Sequence, residues 1–584
     1  MKYIKNRINI QKVFVLLMLL LGLLLRTVLS NEVPPGLAND EANIILNAQS
    51  LLHTGKNIPG VVTGILGDPS GNYDGGIHSE LSSFLLALVY AVTGFSLSSV
   101  KLPFVFASLG ISFLLYLISG KLFNRSIANI TLILSIINPW LIHFGRSGYE
   151  SILSAFFYLA AVYIFLITRK WKIFYCLPFL LIGFFCYFSA KVLLFPLSFS
   201  LLFMMILFRK QDSLKQVIIL NIVVVFFMAF YFAALQKSVS GSRISELGNK
   251  SFSSIVDNNR THSISFPLEK IIENKYFENL FFRLTSTIGG MSANYLFING
   301  VPESSGHLSI PDHGPLYPID LFIVFIGLIY LFSKYTNKAI GLCFLIAITY
   351  IPNFLNIQNA TYSIRPVILI PILIIITASG LFGLYESLYG KKSKIIILGI
   401  IVSIYLFFGL RFIFQYYFRM PIENNDSWFF QDRVAIQYIK SLTQKDSTKK
   451  IIWVTPYVHH SFYRYIFFSG LYTNTQDIRK INELLKSEIY SIGNLIIQVS
   501  CPKNYNLDTS FYLIDSALNC SIPEVKAIIA NINDAGAKYR FVNDPLCEQY
   551  THNRYPLIKD FRLLKVENLT DEEFCVNHIS NNQN

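Results

Sequence analysis

The chain has 584 residues, 53% of them hydrophobic and only 14% charged, with a mean hydropathy of +0.47, which excludes an ordinary soluble globular protein. The formal charge of +14 points at first sight to nucleic acid. The Lys and Arg residues instead fall in short clusters between apolar runs, as in the cytoplasmic loops of a membrane protein, and nucleic acid is set aside as a partner.

In chain order, the apolar stretch 13–29 follows Lys2, Lys5, Arg7 and Lys12 and has no small-residue cleavage site before Asn31. It reads as an uncleaved first helix that leaves the N-terminus inside. Further spans are expected at about 100–120, 126–143, 151–168, 173–189, 192–208, 216–235, 317–333, 339–355, 365–386 and 395–414, each near the ~20 residues that cross the hydrocarbon core. The total of about eleven is odd and puts the C-terminus outside. In this register Lys121/Arg125, Arg169/Lys170/Lys172, Arg209/Lys210/Lys215, Lys334/Lys338 and Lys391/Lys392/Lys394 all face the cytoplasm. It requires the apolar stretch 81–95 to be an outer-surface or re-entrant helix.

Three regions then lie outside: a first loop at about 30–99, a long loop at about 236–316, and residues from about 415 onward. In the last, DRVAIQYIKSL reads as an amphipathic helix, IIWVT, SFYLID and FRLLKV as strands, and IPEVKAIIANINDAG as a helix ending at glycine. The expected fold is therefore mainly α, a polytopic transmembrane helical bundle over 1–414 with a small extracytoplasmic α/β domain over 415–584. Cys176, Cys186 and Cys343 fall in spans, whereas Cys501, Cys520, Cys547 and Cys575 fall in the outer domain. Four outer thiols allow two disulfides in any of three connectivities. His307 and His313, flanking Asp312, and the pair His459-His460 have no metal-site spacing, so the cofactor is unknown and no metal is assigned.

The tripeptide Asn39-Asp40-Glu41 comes just after the first span, where the chain meets the outer aqueous face. Its acids suit both a helix N-terminus and a catalytic carboxylate, and the two roles are compatible. Basic residues are uncommon in short outer loops, yet Arg146, Lys191 and Arg365 each stand at the outer mouth of a helix. Any one alone would snorkel to lipid headgroups. Three at one level, facing Asp40 and Glu41, are expected to form an anion pocket suited to the phosphate of a lipid carrier.

PPGL-x-x-DEA after a first helix, a following SLL-x-TG, the second outer loop NPWLIHFGRSGYES and a late Arg-Pro together resemble the GT-C membrane glycosyltransferases, in particular the protein O-mannosyltransferases and the lipid A aminoarabinose transferases. The resemblance covers roughly the first 390 residues. It implies an inverting, polyprenyl-phosphate-sugar-dependent transferase in the plasma membrane, with a protein, lipid or glycan acceptor. Asp40 matches the family's general base and Glu41 its neighbour that positions substrate. Arg146 and Glu150 stand where relatives carry a further acid, so the second loop departs from the pattern. Lys191 and Arg365 match basic residues near the carrier phosphate, and His78 lies where many relatives have Lys-Pro. Two other classes fit a chain of many spans. A transporter would bury ionisable residues at the bilayer midplane, and a polymerase or ligase would place its key arginines and histidines in the late loop.

Overall fold

The computed structural model describes residues 2–60, 79, 81–208, 213–235, 252–264, 266–301, 303–355, 364–530, 536–550 and 558–581. Among these, seven helices are long and apolar enough to cross a membrane: Ile10–Thr27, Ser99–Leu122, Ser189–Leu207, Leu214–Ala233, Thr336–Leu355, Leu369–Ser387 and Lys391–Glu423. The chain is a multi-pass membrane protein. The first helix, α1 (Lys2–Thr27), is followed by α2 (Asn39–Thr54) and α3 (Ser82–Thr93) and then by α4 (Leu102–Leu122). The other four expected spans also form helices, but shorter than the ~20 residues of a full crossing. They are α5 (Arg125–Ile137), α7 (Ser151–Ile167), α8 (Cys176–Cys186) and the helix Asp320–Lys334, with 13, 17, 11 and 15 residues.

The expected span 126–143 is in fact two helices, because Pro139 has no amide hydrogen to continue the first. Asn138 takes an extended conformation, and its Oδ1 accepts from Leu141 N at 3.0 Å, capping a new short helix, α6 (Pro139–Phe144). Its Nδ2 donates to the carbonyl of Pro315 at 3.1 Å, tying this break to the late loop. Within the bundle, helix approach is set by glycine. A Cβ on Gly327 would lie 2.1 Å from the Ile376 carbonyl oxygen, and one on Gly380 would lie 2.2 Å from that of Ile323. These contacts bring Asp320–Lys334 against the centrally buried Leu369–Ser387 with backbones nearly touching.

The C-terminal region forms a mixed seven-stranded sheet in the order β2-β3-β1-β4-β6-β5-β7. Strand β1 (Lys450–Val454) runs parallel to β3 (Leu495–Gln498) and β4 (Ser510–Asp515), whereas β2 (Ser491–Ile492), β5 (Ala527–Ala530), β6 (Ala537–Phe541) and β7 (Ser580–Asn581) pair antiparallel. Helices Phe430–Lys445, Val458–Ser469 and Thr475–Lys486 belong to the same region. Two expectations fail here. The run AIIA, expected in a helix, is β5, with every residue buried; a short, fully apolar run has no periodicity to distinguish the two. FRLLKV, expected as a strand, is a pair of short 3-10 turns, because Asp560 Oδ1 caps Arg562 N at 2.9 Å and Leu563 and Leu564 are buried in succession. The four outer cysteines pair as Cys501–Cys520 and Cys547–Cys575.

Helix α2 is the joint of the molecule. It packs against α3 on one side and against Val458–Ser469 and Thr475–Lys486 on the other, so Glu41 to Ser50 are all buried.

Candidate active site

Asn39 opens α2 after Ala38, whose backbone is extended. An alanine has no side-chain acceptor, so only the returning half of a capping box forms: Glu41 Oε2 accepts from Ala38 N at 3.3 Å. Glu41 is fully buried against the second outer loop, where a Cβ on Gly148 would lie 2.4 Å from Glu41 Cγ. Burial pushes its carboxyl up, against the opposing pull of Lys101 and the amides of Ala38 and Gly148. Asp40, about 100° away around the helix, is exposed. The two neighbouring acids thus point to different surroundings.

The charge of Asp40 acts on Glu150 and on His307. Tyr187 lies in the combined field of Arg365, Glu150 and Asp40. Glu150, just before α7, is buried, and its Oε1 accepts from Ser79 N at 3.3 Å and from the Ser82 hydroxyl. Burial pushes its carboxyl up to about 8 despite those bonds, with Asp40 adding to the rise and Lys191 opposing it. Lys191 is buried; its Nζ donates to Tyr231 Oη at 2.6 Å and lies 5.0–5.6 Å from the ring centroids of Tyr231, Phe188 and Phe184. Arg365 is also buried. His307 stacks on Tyr149 with centroids 5.8 Å apart, and burial lowers its pKa against the pull of Asp40. Asp40, Glu150, Lys191 and Arg365 are therefore linked electrostatically, Asp40 and Lys191 through Glu150 and Arg365 through Tyr187.

The remaining sequence candidates are placed otherwise. Arg146 is buried and clamps the end of α1: its Nη1 donates to Leu25 O at 3.3 Å, its Nη2 to Leu29 O at 3.0 Å and Val33 O at 2.6 Å, and its Nε to Val33 O at 3.2 Å. These carbonyls belong to the last turn of α1 and the loop that follows it, so the guanidinium is taken up by backbone. Glu41 is buried between Ala38 and Gly148. His78 lies outside the described residues.

A second set of cations escaped the sequence reading. Lys101 Nζ donates to Ser30 O at 3.2 Å and Pro34 O at 3.4 Å. Arg433 donates to Pro35 O at 2.6 Å and Asn31 O at 3.1 Å while gripping Glu567 with two bonds of 2.7 Å. Arg464 is paired with Asp432 at 2.6 Å and also reaches the Asn39 side chain at 2.5 Å. The available signal was a lone arginine inside an aromatic run, SFYRYIFF, which has no place in a packed helix unless it is paired. Among the described residues no group of three His, Cys, Asp or Glu side chains is placed to hold a metal ion.

No protein-family model matches the sequence, and no curated protein matches it. Solved structures do resemble the fold. ArnT from Cupriavidus metallidurans, bound to undecaprenyl phosphate, is 10% identical, with a TM-score of 0.49 over 91% of this chain and 98% of its own. The oligosaccharyltransferase of Archaeoglobus fulgidus, tethered to an acceptor peptide containing the NVT sequon, is 11% identical with a TM-score of 0.46 over 78% of this chain. The chain spans 63% of the length of that oligosaccharyltransferase.

Proposed function

We propose that this chain is an inverting glycosyltransferase that moves a single sugar from a polyprenyl-phosphate carrier to an acceptor hydroxyl on the outer face of the plasma membrane. The observation that supports it is one exposed carboxylate, Asp40, in the electrostatic neighbourhood of Glu150, Lys191 and Arg365, all three buried. In the proposed topology the N-terminus is cytoplasmic, residues 1–414 form the membrane unit and residues 415–584 form the extracytoplasmic unit.

Asp40 is the general base. It takes the proton of the acceptor hydroxyl as that oxygen attacks the anomeric carbon from the face opposite the carrier, which inverts the configuration. The bond from the anomeric carbon to the phosphate oxygen breaks, and the electron pair leaves with polyprenyl phosphate. Arg365 and Lys191 hold the charge that develops there, in surroundings dry enough for the attraction to be strong. No protein acid is needed on the leaving-group side, because a phosphate monoester is already a stable anion. Glu150, held largely protonated by burial at neutral pH, adds no second negative charge to the phosphate site. The acceptor approaches from water, where Asp40 is open.

The test incubates purified protein and the Asp40→Asn variant with polyprenyl-phosphate-linked mannose, glucose, galactose and arabinose and a crude envelope acceptor fraction. Asp40-dependent transfer supports the reading and names the sugar. Transfer that persists in Asp40→Asn, or no binding of any donor, moves the assignment to the transporter or ligase class.

A further inference from the structure

The residue next to the proposed base is held from the far end of the chain. Arg464 lies on the helix Val458–Ser469 and is fully buried. Its Nε and Nη2 lie 2.7 and 2.6 Å from Asp432 Oδ2, and its guanidinium sits 3.9 Å above the Phe429 ring centroid. Asp432 is itself fixed by Tyr539 Oη of β6 at 2.5 Å and Ser461 Oγ at 3.3 Å. The planar guanidinium therefore has one orientation, and in it Nη1 donates to Asn39 Oδ1 at 2.5 Å.

Asn39 is the first residue of α2 and Asp40 the second. The preceding Ala38 offers no side-chain cap, so beside the Glu41 bond to Ala38 N the side-chain hold on Asn39 comes from outside the helix. Neighbouring contacts press the same seam together. A Cβ on Gly36 would lie 2.1 Å from the Trp428 carbonyl oxygen, Arg433 grips the carbonyls of Asn31 and Pro35, and Asn482 Nδ2 donates to Ser50 Oγ at 2.8 Å.

We propose that Arg464 is a positioning residue for Asp40: the sheet-bearing C-terminal region, through the Tyr539–Asp432–Arg464–Asn39 chain of bonds, sets where the base stands in the pocket. This depends on Asp40 being the base. A carboxylate displaced by about 1 Å from its acceptor loses on the order of a hundredfold in rate, so a single side-chain bond to the adjacent residue is enough to be felt in turnover.

The experiment is a double-mutant cycle in the full-length protein with Asn39→Ala, Arg464→Lys and the pair. Asn39→Ala removes the acceptor on a half-buried side chain, and Arg464→Lys keeps a cation against Asp432 so that the fold survives. Two readouts are taken: turnover of the panel donor that gives the most transfer, and deuterium uptake of peptides covering 36–45. Each single variant is expected to lower kcat about tenfold with donor KM within about twofold, and the double to be no worse than the poorer single, because both remove one bond. Uptake in 36–45 rises in all three while that of β1 and β4 stays unchanged. Unchanged uptake in 36–45, multiplying effects on kcat, or a change confined to thermal stability overturns the proposal. Turnover that survives in Asp40→Asn sinks the base assignment and this inference with it. Turnover lost in Asp40→Asn but kept in Asn39→Ala sinks the inference alone.

Discussion

Two groups of buried cations lie close to α2 and differ in what surrounds them. Along the seam, Arg146, Lys101, Arg433 and Arg464 spend their donors on named backbone carbonyls or on the carboxylates of Glu567 and Asp432. Elsewhere, Lys191 and Arg365 share their electrostatic surroundings with an exposed carboxylate, Asp40, and with Glu150. The first group holds polypeptide, and the second lies in the electrostatic surroundings of an exposed acid. Burial of a cation is therefore uninformative until its surroundings are known; on the proposed function, the nearby exposed acid distinguishes Lys191 and Arg365.

The largest expected effect is at Asp40. Asp40→Asn is expected to lower transfer by about 10²–10⁴-fold, the usual contribution of a general base, with an unchanged melting temperature; near-wild-type turnover in a donor assay would remove the distinction between the two groups. Next, Arg464→Met leaves Asp432 buried without its cation and is expected to destabilise the protein by about 3–5 kcal/mol, read by thermal unfolding in detergent. A seam cation whose loss left stability untouched would belong with the pocket. Arg365→Gln is expected to weaken donor binding by about 1.5–3 kcal/mol, the range for a hydrogen bond to a charged group, seen as a raised KM with little loss of thermal stability.

A further effect is one of pH. The Glu150 carboxyl is pushed up to about 8 by burial, from the ordinary range near 4.3. Between those values the folded protein binds the extra proton, so this group's contribution is complete below the unfolded pKa and is lost as pH rises through about 8. Stability is expected to fall over that window by at most about 1.4 kcal/mol per pH unit. Glu150→Gln, a neutral mimic of the protonated form, should flatten the curve. An identical slope in wild type and variant assigns the dependence to another group.

Much of this was readable in the residues. The apolar spans follow from hydropathy alone, and the Asp-Glu pair is marked by its place after the first span. That the two acids part company was also available: consecutive helical residues stand about 100° apart, so a pair cannot share one face. The Asn138-Pro139 break carries a turn dipeptide inside an otherwise continuous apolar run, and the run concealed it. Arg146 was out of reach, because the partners that occupy it are carbonyls more than a hundred residues away in sequence, about which side-chain identities say nothing. The same holds for Arg464 and for the strand β5, whose state is decided by the neighbours it pairs with.

The bond from Arg464 to Asn39 joins residues 425 positions apart, and it has a consequence for how the molecule is made. During synthesis the acid leaves the ribosome early, while the residue that steadies it arrives only after most of the chain has been threaded into the bilayer. A chain halted before residue 464 carries Asp40 without that support. On the proposed reading, the first turn of α2 gains its full set of side-chain bonds only once the last portion of the chain has folded.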